Sequence, residues 1–256
     1  MTHQAGQPGT SPPWAGRTLS IGGFDGDTGE ADPELLATLA THASSAGADN
    51  DVVLMRRVAV ARLIVAIVPA PGDVESVDGL PAERSADMAV VTLTGPDGRR
   101  ALPVFTSTAS LAAWDPAARP VPVTAARAAQ AAVSEQCDVL VVDVGTPDGA
   151  ELRTSMVWAL AQAREWLPAH ADPFVAAAVD RAIASEPAVT SHRVEEGEPP
   201  GAGVLRIVLL LVPGLDATEV EALVTRVGEL LATDGELRAR VDGLSFAVAS
   251  DAQGGS

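Results

Sequence analysis

Met88-Ala89-Val90-Val91-Thr92-Leu93-Thr94-Gly95-Pro96-Asp97-Gly98-Arg99-Arg100-Ala101-Leu102-Pro103-Val104-Phe105-Thr106 reads as two apolar runs folded about a turn. Pro96 and Asp97 suit the centre of a type I turn and Gly98 supplies the left-handed residue of a bulge, so 88–94 and 99–106 are expected to pair as a hairpin. Downstream, 108–114 has the pattern of a short helix and 120–124 that of a strand. The Ala-rich stretch 125–136 is a strong helix former that feeds 138–144, an apolar run expected to be a buried strand. Together 119–144 predicts a strand, helix, strand unit compatible with parallel strands.

Upstream, 63–68 is an unbroken apolar strand closed by Pro69, and a helix over 51–62 leads into it. Asp32-Pro33 is an N-cap followed by proline at the first helical position; Leu35, Leu36 and Leu39 share one face of a helix ending near Gly47. Density of Pro, Gly and charge makes 69–86 a long loop, and 1–31 lacks hydrophobic periodicity, the pattern of a disordered tail. A helix over 154–166, carrying Trp158 and Trp166, closes a first lobe at 32–167. The pattern then restarts at Asp172-Pro173 with a capped helix to about 185, a strand near 187–195, a turn-rich break and a strand over 204–212. A long helix over 216–241 follows, with Val220, Leu223, Val224, Val227, Leu230 and Leu231 on one stripe, and then a strand over 244–249. The expected fold class is α+β: a mixed β-sheet with flanking helices, followed by a smaller α-β-β-α-β lobe at 168–250 and a frayed, disordered end at 251–256.

Composition removes several chemistries. Hydrophobic residues are 47% of the 256 but aromatics only 3%, with no Tyr, so the core must be Ala, Val and Leu and base-stacking platforms are scarce. A formal net charge of −17 repels phosphate backbones and anionic lipid, so neither nucleic acid nor membrane is an expected partner. Every fixed cation is an Arg, because the sequence contains no Lys; Schiff-base, pyridoxal and Walker-lysine mechanisms are thereby excluded. The single Cys, Cys137, fits a reducing, cytoplasmic setting. The first thirty residues do not read as a signal peptide, and Arg56-Arg57 before an apolar run is internal and interrupted by Arg62. The apolar runs at 63–68 and 204–212 fall well short of the roughly 20 residues that span a bilayer.

The hairpin segment also has a familiar look. Ser85-Ala86-Asp87-Met88-Ala89-Val90-Val91, then 95–107 from Gly95-Pro96-Asp97-Gly98 to Phe105-Thr106-Ser107, then Leu111-Ala112-Ala113-Trp114, then Ala118-Arg119-Pro120-Val121-Pro122-Val123 occur in an order that resembles the N-terminal domain of the SseB family, named for enhanced serine sensitivity. The likeness covers roughly 32–167, and the rest looks like the shorter C-terminal half of members of that family. The family usually carries Glu-Lys-Ser-Ser-Asp-Met where this chain has Glu83-Arg84-Ser85-Ala86-Asp87-Met88, which keeps the charge and loses one hydroxyl and the amine. The resemblance implies a fold and no established enzymatic activity.

Several residues suit either a functional site or a plain structural role. Asp143 ends an apolar strand before Gly145-Thr146-Pro147-Asp148-Gly149, where α/β enzymes often place a metal-binding or phosphoryl-accepting carboxylate, but turn chemistry explains it as well. Asp25-Gly26-Asp27-Thr28-Gly29-Glu30 mimics the start of a calcium loop, yet its glycine is displaced and Leu36 stands where the bidentate acid belongs. His3, His42, His170 and His192 lack ligand spacing, so no metal is expected. Cys137, next to Glu135 and Asp138, should be an inert thiol. Ser107 and Ser110 read as helix capping. The group that stands out is Glu83, Arg84, Asp87, Phe105, Thr106, Trp114 and Arg119. Arg119 offers a directional donor for a carboxylate or phosphate, and Phe105 and Trp114 offer apolar area for a recognition surface; the competing role is a core for the aromatics and an ion pair for Arg84. The sequence thus points to a non-catalytic cytoplasmic binding or regulatory protein without a cofactor, its partner a protein or a small molecule, with homodimerisation through an exposed strand possible. The alternative is a small-metabolite sensor or enzyme linked to serine or other amino-acid metabolism.

Overall fold

The computed structural model describes residues 24, 26–45, 47–69 and 88–249. Its architecture is α+β, with a seven-stranded mixed sheet followed in the chain by a three-stranded one. Strand β1 (Arg62–Pro69) is the spine of the first sheet. Its alternating side chains are covered on both faces: Leu63 and Val65 join one core cluster, Ile64 and Ala66 another. That explains a continuous apolar run instead of an apolar-polar alternation. Helices α1 (Pro33–Ser44) and α2 (Ala48–Ala59) precede β1. As expected, Asp32 caps α1, its side chain accepting from Glu34 N at 2.9 Å.

The hairpin is built differently from the expectation. The turn at 95–98 forms, with Gly98 N donating to Gly95 O and Gly98 at φ +82°. The first arm, however, is broken. Strand β2 (Met88–Val90) pairs with β1, and only β3 (Leu93–Thr94) pairs with β4 (Arg100–Phe105). Val91 N donates to Ala66 O, which holds the break against β1.

Helix α3 (Thr108–Trp114) follows, with a Ser107–Ser110 capping box, as the sequence reading expected of these serines. Then come β5 (Arg119–Thr124), α4 (Ala125–Ser134) and β6 (Val139–Val142). β5 and β6 run in the same direction but are not neighbours: β5 pairs antiparallel with β1, β1 antiparallel with β4, and β6 lies parallel beside β4. A short β7 (Ala150–Leu152), absent from the sequence reading, pairs with β6. Helix α5 (Thr154–Ala161) ends before the expected 166, because Ala163 turns left-handed at φ +51° and Arg164 N closes back on Ala159 O. Leu35, Leu54, Ala128 and Met156 bring α1, α2, α4 and α5 onto one face of the sheet, while Leu111 of α3 covers the other.

Residues 26–30, grouped by pattern with the N-terminal tail, are drawn onto this sheet by Arg62. Its Nε donates to Asp27 Oδ2 at 2.8 Å, its Nη2 to Glu30 O, and its Nη1 to Thr106 O at 2.7 Å. The calcium-like acidic run therefore spends Asp27 on a guanidinium.

The second sheet has the order β10 (Gly243–Ala249), β9 (Val204–Leu211), β8 (Val189–Glu196). Helices α6 (Pro173–Ile183), α7 (Ala217–Thr233) and α8 (Gly235–Arg238) pack on one face. The single helix expected over 216–241 is interrupted at Asp234, whose carboxylate accepts from Glu236 N and Leu237 N and starts a new helix. No helix among the described residues is long and apolar enough to cross a membrane.

Candidate functional site

Where the two sheets meet, Arg153 occupies the N-cap position of α5, an unfavourable place for a cation because the helix N-terminus is itself positive. Its position follows from its partners. Nη2 donates to Asp51 Oδ2 at 2.9 Å, Nε to Asp242 Oδ2 at 3.1 Å and Nη1 to Gly201 O at 2.7 Å. Asp51 comes from the first turn of α2, Asp242 from the residue before β10, and Gly201 from the turn between β8 and β9. The guanidinium therefore ties both sheets together through its planar fork, a geometry an ammonium cannot reproduce.

Asp242 does a second job. Arg153 offers no side-chain cap to α5. Asp242 Oδ1 instead accepts from Ser155 N at 2.7 Å and Oδ2 from Ser155 Oγ at 2.8 Å, so a carboxylate from the second sheet caps a helix of the first. Ser155 Oγ in turn accepts from Trp166 Nε1 at 3.0 Å, and the Arg153 guanidinium carbon stands 5.7 Å from the Trp166 ring centroid. Asp51, 3% exposed at its side chain, is completed by His42 Nε2–H, 2.8 Å from Oδ1. Gly203 closes the site: a Cβ there would stand 2.3 Å from Asp242 Oδ2 and 2.8 Å from Arg153 Nε.

Beside this cluster opens a cleft of about 690 Å³, lined in part by His42, Arg99, Glu151, Arg153, Thr154 and Ala202. Arg99 and Glu151 pair across 2.9 Å at its wall and are both partly exposed.

The residues singled out from the sequence are placed as follows. Glu83, Arg84 and Asp87 lie outside the described residues. Phe105 is fully buried and Trp114 half-buried, their ring centroids 5.3 Å apart. Thr106 is buried against Asp143: its N donates to Oδ1 at 2.9 Å and its Oγ1 to Oδ2 at 2.6 Å. The register separates Arg119 from Phe105 and the Trp114 ring against it. Phe105 pairs with Ile64 and Arg119 with Ile67, so alternation puts them on opposite faces of the sheet. Asp143 adopts φ +48° and its carbonyl accepts from Thr146 N and Thr146 Oγ1, the turn role weighed from sequence. Burial pushes the Cys137 thiol up, with Glu135 and Asp138 adding and Arg100 opposing, which disfavours the reactive thiolate.

The Arg153 cluster escaped sequence reasoning. Arg153 lies 102 residues from Asp51 and 89 from Asp242, and neither spacing nor periodicity joins them. Among the described residues no three His, Cys, Asp or Glu side chains gather as a metal site.

These features define an α+β protein of two sheets joined through a partly buried guanidinium. Residues 35–159 match the model of the SseB protein N-terminal domain. Over that stretch, from most of α1 to most of α5, the chain carries the N-terminal domain of the SseB family. No curated protein and no solved structure matches the chain.

Proposed function

We propose that the chain is a non-catalytic binding or regulatory protein of the cytoplasm, and that its recognition surface is the cleft beside Arg153. The observation that carries this reading is where the buried carboxylates spend their hydrogen bonds. Buried Asp51, Asp143, Asp172 and Glu186, and the partly buried Asp242, are each held by Arg, Thr, Ser, His or backbone donors. A carboxylate whose lone pairs are filled in that way acts as scaffold. The exposed Arg99–Glu151 pair on the cleft wall can open to an incoming partner of either sign at little cost, since such pairs contribute about 0–1 kcal/mol. The chain also reads as two domains, 32–167 and 168–250, with the cleft at their junction.

The test is co-purification of the tagged full chain at native expression. A reproducible partner, lost on Arg99→Glu and regained with Glu151→Arg added, is expected. Absence of any reproducible partner counts against the reading.

One observation favours a second reading, a sensor of small metabolites tied to amino-acid metabolism. The cleft volume, about 690 Å³, falls within the range of small-molecule sites. Thermal-shift screening with serine and other amino acids, nucleotides and divalent ions should then show stabilisation, and a uniformly flat screen rejects it.

A further inference from the structure

The outer edges of the two sheets are guarded unequally. In the first sheet β5 carries Pro120 and Pro122, which remove donors from its outer edge, and β2, β3 and β7 are only three, two and three residues long. In the second sheet β8 has a register irregularity at Val189/Ser191 and carries Arg193, Glu195 and Glu196. Each is a recognised device against edge-to-edge pairing. The remaining outer strand, β10, has none of them. Gly243-Leu244-Ser245-Phe246-Ala247-Val248-Ala249 holds no charge and no proline, and pairs with β9 in unbroken parallel register over all seven residues. Among the described residues its other edge has no strand partner.

Two of its side chains give the edge a specific shape. Leu244 and Val248 are 39% and 48% exposed, and they flank Phe246, which packs into the core below. All three point to the same face. On that same face helix α7 meets Phe246 at Gly228, where an added Cβ would stand 3.8 Å from Phe246 Cε2.

We propose that β10 is a self-association edge, and that its occupant is the β10 strand of a second copy of this chain, antiparallel and centred on Phe246. Spacing is the argument for a second copy. A two-fold axis at Phe246 sets Leu244 of each copy opposite Val248 of the other, so both exposed apolar side chains are covered by one operation, and it sets Ser245 opposite Ala247. Two three-stranded sheets become one of six strands. A neutral strand also suits two molecules of net charge −17, because no like charges meet at the line of contact. The remaining repulsion between the copies is long-ranged and screened by salt. The interface is small, so association in the micromolar range is expected. It does not depend on the cleft or on what the cleft binds.

The experiment is sedimentation of the full chain over a concentration series at low and high salt. A monomer–dimer equilibrium that tightens severalfold with salt is expected, together with slowed hydrogen exchange of β10 amides as concentration rises. Val248→Lys and Leu244→Lys should each return the monomer while circular dichroism and the thermal midpoint stay near those of the parent. Ser191→Lys on the β8 edge should leave the dimer intact. A chain that stays monomeric at high micromolar concentration and high salt, as one reserving this edge for a foreign peptide would, overturns the proposal. So does a dimer that survives both β10 substitutions.

Discussion

A buried carboxylate costs free energy unless its lone pairs are filled, and Asp143 shows how one residue makes itself indispensable. Its side chain is held by Thr106 through both the backbone N–H and the hydroxyl, and its own backbone sits in the left-handed region that Asp tolerates better than most residues. Thr106→Val keeps the shape and removes the hydroxyl. Urea unfolding should show a loss of about 1–3 kcal/mol, with Thr106→Ser recovering most of it. A Val variant as stable as the parent would mean that water replaces the hydroxyl. Local chemistry of this kind was legible from sequence: the caps at Asp32 and Asp172 and the turn after Asp143 each depend on neighbours a few residues away. The pairing of Thr106 with Asp143, 37 residues apart, was not.

At the scale of elements, the apolar pattern located most helices and strands but misplaced several ends. The expected 216–241 helix keeps its apolar stripe beyond the break, because Leu237 of α8 buries in the same core as Leu231. Periodicity therefore carried no mark of the stop at Asp234. Helix α5 is similar. Helix-forming residues run on through Gln162, Arg164 and Glu165 to Trp166, and only the conformation of Ala163 ends the helix. An alanine there bears a left-handed strain of about 1–2 kcal/mol, against which glycine's extra unfolded-chain entropy weighs about 0.5–1 kcal/mol. Ala163→Gly should therefore stabilise slightly, by roughly 0.5 kcal/mol, seen as a small rise in the thermal midpoint. A fall would show that the strain is already relieved. The three-residue β7 was invisible because it is too short to display alternation.

Across the whole molecule, the α+β class was readable and the order of strands was not. Strand β1 gathers partners from three separate parts of the chain, a choice made by packing on both faces of the sheet and not by any local signal. The junction of the sheets belongs to the same category. Arg153 is 15% exposed at its side chain, with Asp51 and Asp242 at 3% and 11%, so removing one partner strands a charge; breaking such a pair costs about 3–5 kcal/mol. Asp242→Ala also uncaps α5. If the two sheets are the cores of separate domains, calorimetry of this variant should resolve two transitions where the parent shows one. A single transition merely shifted to lower temperature would argue for one cooperative unit.

The indole of Trp166 lies at that same junction, buried, its Nε1 held by Ser155 and its ring near Arg153. With no Tyr in the chain, ultraviolet-excited emission comes almost wholly from its four tryptophans. The protein thus carries a native optical probe at the seam between its sheets, and loosening of the seam can be followed as a red shift without attaching any dye.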